Sequence, residues 1–128
     1  MAQILLIEDL APVRVVTRRL LESAGHAVVA TATASEGLAQ LRARAFDLAI
    51  TDLLLPDRPA GAIVTELRRE RPALPILAMS GGGHLRGDWS EKALKAGASA
   101  ILRKPFDRNA LLTAINPLLV LTPSEASG

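Results

Sequence analysis

The chain has 128 residues, of which 49% are hydrophobic, and its formal net charge is +2. This length is enough for one domain with its own core, and the apolar content excludes a disordered chain. The small net charge, two Phe, one Trp and no Tyr argue against nucleic-acid binding, and the lack of Cys excludes disulfides and thiolate metal sites.

The amino-terminal segment shows no targeting pattern. It lacks a basic region, and its first apolar run, 4–7, is too short for a signal peptide and continues into two acids. No segment reaches the length of a bilayer span. We therefore expect a soluble, cytoplasmic protein with no membrane partner.

The first predicted strand is the run 4–7, and a helix follows it. Pro12 suits the first turn of that helix, and Gly25 suits the position just past its end. The second run, 27–30, predicts the next strand. The apolar stripe expected on the inner side of this first helix consists of Val13, Val16, Leu20 and Ala24.

The second predicted helix begins with a capping-box pattern, in which Thr33 precedes Glu36 by three residues. The run 48–50 then predicts the third strand. A third helix must stop near Arg71, because Pro72 follows it. The inner faces expected for these two helices are Leu38, Leu41 and Ala45, and then Ile63, Val64 and Leu67.

The fourth predicted strand is the run 76–79. Asp88 is a plausible cap for a short fourth helix, with Trp89, the only Trp, near its start, and Gly97 closes that helix. The run 100–102 predicts the fifth strand. Because all five runs are continuous rather than alternating, they are typical of parallel strands covered on both faces.

The fifth predicted helix is capped by Asp107, and Pro117 should end or kink it. Its expected inner residues are Leu111, Leu112 and Ile115. Five strand–helix pairs in alternation predict an α/β fold with a parallel sheet and right-handed crossovers. Residues 122–128 look like a tail or the start of a linker.

Chemically active side chains follow four of the five strands. Glu8 and Asp9 follow the first, Asp52 the third, Ser80 the fourth and Lys104 the fifth. Since ligands bind at the carboxyl ends of parallel strands, these residues should meet at one edge of the sheet. An isolated Asp52 would more simply cap a turn, but the convergence favours a functional site.

This set of residues suits phosphoryl chemistry. Crowded carboxylates resist ionisation together, and a hard cation such as Mg²⁺ with oxygen ligands relieves their repulsion. A carboxylate can also attack phosphorus and form an acyl phosphate. A Lys ammonium and a Ser hydroxyl can then neutralise and bond the phosphoryl oxygens.

These residues resemble the receiver (CheY-like) family of bacterial two-component response regulators. The resemblance covers nearly the whole chain, from Gln3 to about Leu121. Its motifs stand in the family's order and at its intervals: Glu8-Asp9, Asp52-Leu-Leu-Leu-Pro56, Ser80 and Lys104-Pro105-Phe106.

The resemblance implies a role for each matching position. Asp52 is the phosphoacceptor, Lys104 contacts the phosphoryl group, and Ser80 is the hydroxyl that moves towards it. Mg²⁺ is the expected cofactor, held by Glu8, Asp9, Asp52 and the backbone carbonyl of Leu54, with Glu8 often acting through water. The family also implies a cis Lys104–Pro105 bond and a doubly wound, flavodoxin-like sheet in the order 2-1-3-4-5.

Two positions depart from the family's pattern. Ile101 stands where an aromatic residue usually couples phosphorylation to the output face, and an aliphatic side chain cannot make the same ring movement. The loop after Pro56 reads Asp57-Arg58-Pro59-Ala60-Gly61 and is one residue longer than usual, so its shape and partner contacts should differ from those of the family.

By this resemblance, residues 1–121 are expected to form a stand-alone receiver domain, with 122–128 as a tail. We expect a signalling protein rather than an enzyme, with weak self-phosphorylation and autodephosphorylation. Its expected partners are a histidine kinase or histidine phosphotransfer protein and a downstream protein target, and it is expected to be a monomer or a phosphorylation-dependent dimer. On the first helix, Arg14, Arg18 and Arg19 suit either an acidic partner or a solvated face.

Three alternatives stay open at this stage. The chain could be an intermediate in a phosphorelay or a phosphate sink. It could be a phosphorylation-independent binding module, which Ile101 favours and the intact acidic set opposes. A haloacid-dehalogenase-like phosphatase is a third reading, but such enzymes usually carry a second Asp where this chain has Leu54.

Overall fold

The fold was analysed in a computed structural model that describes residues 1–81 and 89–120. Strands and helices alternate along the described residues, as predicted. The strands are β1 (Gln3–Ile7), β2 (Ala27–Thr31), β3 (Leu48–Asp52), β4 (Ile76–Ser80) and β5 (Ala100–Arg103). The helices are α1 (Ala11–Ser23), α2 (Ala34–Ala43), α3 (Ala62–Glu70), α4 (Ser90–Ala96) and α5 (Arg108–Val120).

The five strands form one parallel sheet in the order β2-β1-β3-β4-β5, which confirms the expected topology. In the centre of the sheet, Leu5 of β1 is opposite Ala49 of β3, and Ile50 is opposite Leu77 of β4. All strands therefore end at the same edge, called the carboxyl edge below.

A hydrophobic layer covers each face of the sheet, which explains the continuous apolar runs. Alternate residues of β1 enter opposite layers: Leu5 and Ile7 pack beneath α2, α3 and α4, whereas Ile4 and Leu6 pack beneath α1 and α5. The edge strand β2 is only half-buried, except at Thr31. The site described below thus lies at the ends of strands whose side chains are mostly buried between two layers of helices.

Helix α1 differs from its predicted inner face. Its buried residues are Thr17 and Leu21, whereas Val16 of the predicted stripe is 55% exposed. The predicted stripe was wrong at Val16 because α1 has a second apolar flank, which lines the cleft described below. The ends agree with prediction, since Pro12 lies in the first turn and Gly25 follows the helix with φ 94°, a value that favours glycine.

Helix α2 is capped as predicted, because the Thr33 hydroxyl accepts the Glu36 N–H at 3.1 Å. The Glu36 carboxylate reaches back one residue further than in a standard capping box and accepts the N–H of Ala32 at 2.9 Å. The helix ends at Ala43, so the predicted inner position of Ala45 was wrong, and that residue is exposed. Leu38 and Leu41 are buried as expected.

Helices α3 and α4 agree with prediction where they are described. The predicted inner residues of α3 are buried, and this helix ends at Glu70 with Arg71 as its cap, before Pro72. Gly97 follows α4 as expected, whereas the predicted cap Asp88 lies outside the described residues.

Helix α5 begins at its predicted cap, Asp107, and extends beyond Pro117. The Asp107 carboxylate accepts the N–H of Ala110 at 2.8 Å, and Leu111 and Ile115 are buried, while Leu112 is partly buried. The helix continues through Pro117 to Val120, so of the two predicted effects of Pro117 the helix end was wrong, and a kink stays a prediction. Pro117 lies on the exposed side of α5, where water can solvate the carbonyl that loses its N–H partner.

The amino ends of β4 and β5 are fastened by two side chains. The Arg68 guanidinium donates to the carbonyls of Gly97 at 2.6 Å, Leu74 at 2.6 Å and Pro72 at 2.9 Å. The Ser99 hydroxyl accepts the N–H of Ile76 at 3.0 Å. The segments that enter these two strands are therefore linked to the end of α3.

Within residues 1–81 and 89–120, no helix combines the length and the apolar character that a membrane crossing requires. Residues 121–128 lie outside the described residues. The predicted domain boundary at residue 121 and the predicted tail therefore stay predictions.

Candidate functional site

Three acidic side chains meet at the carboxyl edge of the sheet. Glu8 and Asp9 follow β1, and Asp52 is the last residue of β3. One carboxylate oxygen from each lies within 4.8 Å of the other two. Lys104, which follows β5, donates to Glu8 and, at 2.9 Å, to Asp52. We call these four residues the acceptor cluster.

Glu8 is the most deeply placed member of the acceptor cluster. Its side chain is fully buried, its Oε1 accepts from Lys104, and its Oε2 accepts the N–H of Leu10 at 3.2 Å. Burial raises the pKa of the Glu8 carboxyl, and the negative charge of Asp52 adds to this, although the bond from Lys104 opposes it. Glu8 therefore holds its charge less readily than an ordinary glutamate.

Asp52 is nearly buried and is oriented through both carboxylate oxygens. Oδ2 accepts from Lys104, and Oδ1 accepts the N–H of Leu54 at 3.2 Å. The Leu54 side chain itself is 51% exposed. Asp9 is the most open of the three acids.

Lys104 is placed by the backbone around it. Its N–H donates to the carbonyl of Ser80 at 2.8 Å, which links the ends of β4 and β5, and the Lys104–Pro105 bond is cis, as expected. Burial lowers the pKa of Lys104, but its hydrogen bonds to Glu8 and Asp52 outweigh burial and hold that pKa above the usual value. Ser80 is buried at the end of β4.

Arg14 supports the site in a way that the sequence did not predict. Its Nη1 donates to the carbonyl of Glu8 at 2.9 Å and to that of Asp9 at 3.3 Å. This arginine therefore holds the loop between β1 and α1 that presents both carboxylates. The available signal was a basic residue in the first turn of the helix that follows an acidic pair, a weak pattern by itself.

An open cleft of about 790 Å³ lies over the acceptor cluster. One wall is the exposed apolar flank of α1, and the other is the segment after β5, with Asp52 and Lys104 between them. The lining residues that carry the argument below are Leu10, Val13, Val16, Leu54, Pro105 and Phe106.

The residues of the acceptor cluster fit a divalent cation. Carboxylate oxygens are the ligands that Mg²⁺ prefers, and three of them lie close enough to share one ion. The single ammonium of Lys104 does not balance three carboxylates, so added positive charge relieves their repulsion. The arrangement can thus hold a hard cation beside a carboxylate that opens onto a cleft.

Comparisons with known proteins agree with this geometry. The family model of the response regulator receiver domain matches residues 4–116. The chain is 33% identical over 129 residues to the response regulator protein FleR of Pseudomonas aeruginosa, covering 99% of this chain and 27% of FleR. It is 34% identical to the two-component response regulator PhoP of the same organism, covering 91% of this chain and 51% of PhoP. The chain thus spans at most about half the length of these two relatives.

Solved structures show the same fold at nearly full coverage. The crystal structure of a CheY-like response regulator receiver domain protein from Methanospirillum hungatei JF-1 superposes with a TM-score of 0.88 and 31% identity, covering 100% of this chain and 99% of that one. Both the sequence match and the shared topology lead to one conclusion: the chain belongs to the response regulator receiver domain family of two-component systems.

Proposed function

We propose that this receiver domain accepts a phosphoryl group on Asp52, with Mg²⁺ bound beside it, and thereby switches a protein-binding surface in the cytoplasm. The donor is a phosphohistidine of a histidine kinase or a histidine phosphotransfer protein. The observation that carries the proposal is the convergence of Glu8, Asp9 and Lys104 on Asp52 at the carboxyl edge.

The transfer moves one phosphoryl group between two side chains. A carboxylate oxygen of Asp52 forms a bond to phosphorus while the P–N bond of the donor breaks, and the imidazole nitrogen keeps that electron pair. Because the other ring nitrogen of the donor keeps its proton, the imidazole is neutral after the transfer. The product is an acyl phosphate on Asp52, and the position of Asp52 on the cleft wall supports it as the nucleophile.

Glu8, Asp9, Asp52 and the backbone carbonyl of Leu54 are the proposed metal ligands. When bound there, Mg²⁺ supplies positive charge that stabilises the phosphoryl oxygens during transfer. The raised pKa of Glu8 is consistent with this assignment: burial is its main cause and the negative charge of Asp52 adds to it, and a bound cation would offset both. Asp9 is the more accessible ligand. Arg14 donates to the backbone carbonyl of Asp9 and so helps to position this residue.

Lys104 and Ser80 are the proposed contacts of the transferred group. The raised pKa of Lys104 keeps its ammonium charged at physiological pH, so a positive charge stays beside Asp52. Ser80 ends the neighbouring strand, next to β5 in the sheet, and offers a hydroxyl for a phosphoryl oxygen.

The cleft beside α1 is the proposed docking site of the phosphodonor. Leu10 is 56% exposed and Val16 is 55% exposed, although both are apolar. These side chains continue the apolar wall that leads to Asp52. An apolar contact here would bring a donor histidine over the acceptor cluster and exclude water from it, while basic residues of α1 suit an acidic rim on the partner.

The proposed output surface is formed by α4, β5 and α5. Acyl-phosphate formation shifts a two-state equilibrium of this surface, so that a downstream protein binds one state better. Ile101 of β5 is partly buried against the core layer beneath α3 and α4. A branched aliphatic side chain cannot make the ring movement of an aromatic one, so the switch has to work through packing of β5.

Intact-mass analysis after incubation with a small phosphodonor and Mg²⁺ tests the proposal. We expect one added phosphoryl group on the wild-type chain, and none on Asp52→Asn or in the presence of a chelator. Asp47→Asn is the matched control: Asp47 precedes the same strand at its other end, where it accepts the N–H of Gln3. This variant should be phosphorylated like the wild type.

The opposite results discriminate between the alternatives. An adduct that persists on Asp52→Asn would contradict Asp52 as the acceptor. No adduct on the wild type, together with no binding of a beryllofluoride mimic, would favour a phosphorylation-independent binding module. Rapid onward transfer to a phosphotransfer protein would instead indicate a phosphorelay intermediate.

A further inference from the structure

The loop after the acceptor strand is anchored to helix α2 by a carboxylate that has no part in the acceptor cluster. Asp57 accepts the N–H of Ala34 through Oδ1 and that of Ser35 through Oδ2, each at 3.0 Å. These amides belong to the first turn of α2, where no carbonyl of the same helix can pair with them. One carboxylate thus joins residues that are 22 and 23 positions apart in sequence.

Arg58 fastens the same loop to the other neighbouring helix. Its Nε donates to Glu66 of α3 at 2.8 Å, and its Nη1 donates to the Ser35 hydroxyl at 3.3 Å and to the Asp57 carbonyl at 2.9 Å. The side chains of Asp57 and Arg58 are 28% and 26% exposed, so the clamp lies at the surface and rests on the number of its bonds rather than on exclusion of water. We call Asp57, Arg58, Ser35 and Glu66 the loop clamp.

The loop clamp leaves little freedom to the residues between it and Asp52. Leu53 and Leu55 are buried in the core, and the carbonyl of Leu53 accepts the N–H of Gly61 at 2.8 Å. Leu54 lies between these two buried anchors, and its own N–H is held by Asp52. The backbone at Leu54 is therefore held by the core at Leu53 and Leu55, and the clamp holds the stretch of loop that follows Leu55.

We propose that Asp57, assisted by Arg58, is a positioning residue for metal binding: it holds the β3–α3 loop so that the Leu54 carbonyl is set in place before Mg²⁺ arrives. This inference rests on the proposed function, because it assumes that Mg²⁺ binds at the acceptor cluster. A ligand that is already ordered loses less conformational entropy when the ion binds, so the affinity for the ion is higher.

The charge of Asp57 does not by itself account for such an effect. Arg58 neutralises this carboxylate locally, through the pair with Oδ2 at 3.3 Å. Loss of both charges would leave the local field nearly unchanged, whereas loss of the bonds would release the loop. The expected consequence of breaking the clamp is therefore a looser ligand rather than a weaker electrostatic attraction.

The test compares clamp variants with two matched controls in the whole chain. Mg²⁺ dissociation constants are measured from amide NMR chemical shifts, and amide hydrogen exchange is recorded for Leu54 and Gly61. Asp57→Ala should raise the Mg²⁺ dissociation constant roughly tenfold, as loss of groups that orient a ligand commonly does. It should also speed hydrogen exchange at the amides of Leu54 and Gly61. Asp57→Asn and Arg58→Ala should change the dissociation constant and the exchange rates in the same direction, but less.

The controls separate loop position from helix stability. Thr33→Ala removes the other side-chain cap of α2 and leaves the loop untouched, because the Thr33 hydroxyl accepts the Glu36 N–H and not a group of the loop. Arg42→Ala breaks the ion pair with Glu70, which links α2 and α3 at their far ends. Both controls should keep the wild-type Mg²⁺ affinity, even where urea unfolding shows that they are less stable.

Three results would overturn the inference. Asp57→Ala and Asp57→Asn could both bind Mg²⁺ like the wild type. Thr33→Ala could weaken Mg²⁺ binding as much as Asp57→Ala does, which would assign the effect to α2 stability. Absence of Mg²⁺ binding by the wild type would overturn the proposed function as well, and this last result distinguishes the two failures.

Discussion

The acceptor cluster lies where the β3–α3 loop begins and the loop clamp holds the middle of that loop, and their charges are arranged in opposite ways. The acceptor cluster places three carboxylates around one ammonium in a largely buried site. In the loop clamp, the Asp57 carboxylate meets two backbone amides, and Arg58 pairs with two acids near the surface.

The pKa values show what this difference means. Burial raises the pKa of Glu8 in the acceptor cluster, whereas the hydrogen bond from Ser35 is the main cause that lowers the pKa of Asp57 to about 2. The Glu8 and Asp52 carboxylates share one ammonium in a buried site and gain from a further cation, whereas the Asp57 carboxylate already has two backbone amides and a guanidinium. Reactivity is therefore expected where charge is uncompensated, and loop order where it is compensated.

The largest expected effect comes from removing the one cation of the acceptor cluster. Lys104→Met keeps the length of the side chain but leaves the phosphoryl oxygens without their ammonium partner. We expect the rate of adduct formation to fall by a factor on the order of 100. The rate is measured by intact mass at saturating Mg²⁺.

Lys95→Met is the control for that change, since Lys95 is 77% exposed and pairs with Glu91 on α4, away from the acceptor cluster. Its rate should match the wild type. A Lys104→Met rate within twofold of the wild type would mean that Lys104 has no electrostatic role in the transfer.

The next largest effect is expected on stability, because removing a charge from each cluster should change the free energy of unfolding in opposite directions. Without metal, Asp52→Asn removes one of the repelling charges and should raise the free energy of unfolding by about 1 kcal/mol. Asp57→Asn should lower the urea midpoint, because only one atom of the amide can accept a hydrogen bond. Urea unfolding in a chelator measures both, and equal signs for the two variants would contradict the comparison.

A pH series sharpens the comparison further. The folded-state pKa of Asp57, about 2, lies below its ordinary value of 3.8, so its ionised form stabilises the folded chain above pH 3.8. That contribution is lost as the pH falls from 3.8 towards 2. The gap in urea midpoint between wild type and Asp57→Asn should therefore be constant near neutral pH and shrink in this window. A gap that widens on acidification would refute the assignment.

Trp89 should report the smallest effect. It precedes α4, and Lys92 Nζ lies 4.7 Å from the centre of its ring. Because this helix forms part of the proposed output surface, we expect a small change in fluorescence when a beryllofluoride mimic and Mg²⁺ bind. The change should persist in Asp57→Asn at saturating Mg²⁺ and vanish in Asp52→Asn. Identical spectra for the wild type with and without the mimic would mean that the surroundings of Trp89 do not change when the mimic binds.

Local sequence patterns predicted most of the sheet and the members of the acceptor cluster. Continuous apolar runs marked the strands, and the acids at their ends could be assigned to one edge because parallel strands end together. Helix faces were harder to predict, as Val16 shows. Periodicity identifies an apolar flank but does not say whether it faces the core or a cleft, and α1 has both.

The loop clamp could not be predicted, for a physical reason. Asp57 pairs with amides more than twenty residues away, and α2 already had a plausible cap in Thr33. The extra residue in the loop suggested an unusual shape, but only the folded chain brings that carboxylate to the helix. Bonds that depend on tertiary placement leave no periodic trace in the sequence.

Arg68 has a mechanical consequence for the chain. Its guanidinium ties the turn before β5 to the end of α3 through bonds to backbone carbonyl groups, which do not titrate, so a change of pH does not release these bonds. The amino ends of β4 and β5 are thus fixed to α3. We expect any displacement that begins at Lys104 to be largest at the carboxyl end of β5 and to diminish towards these fixed amino ends.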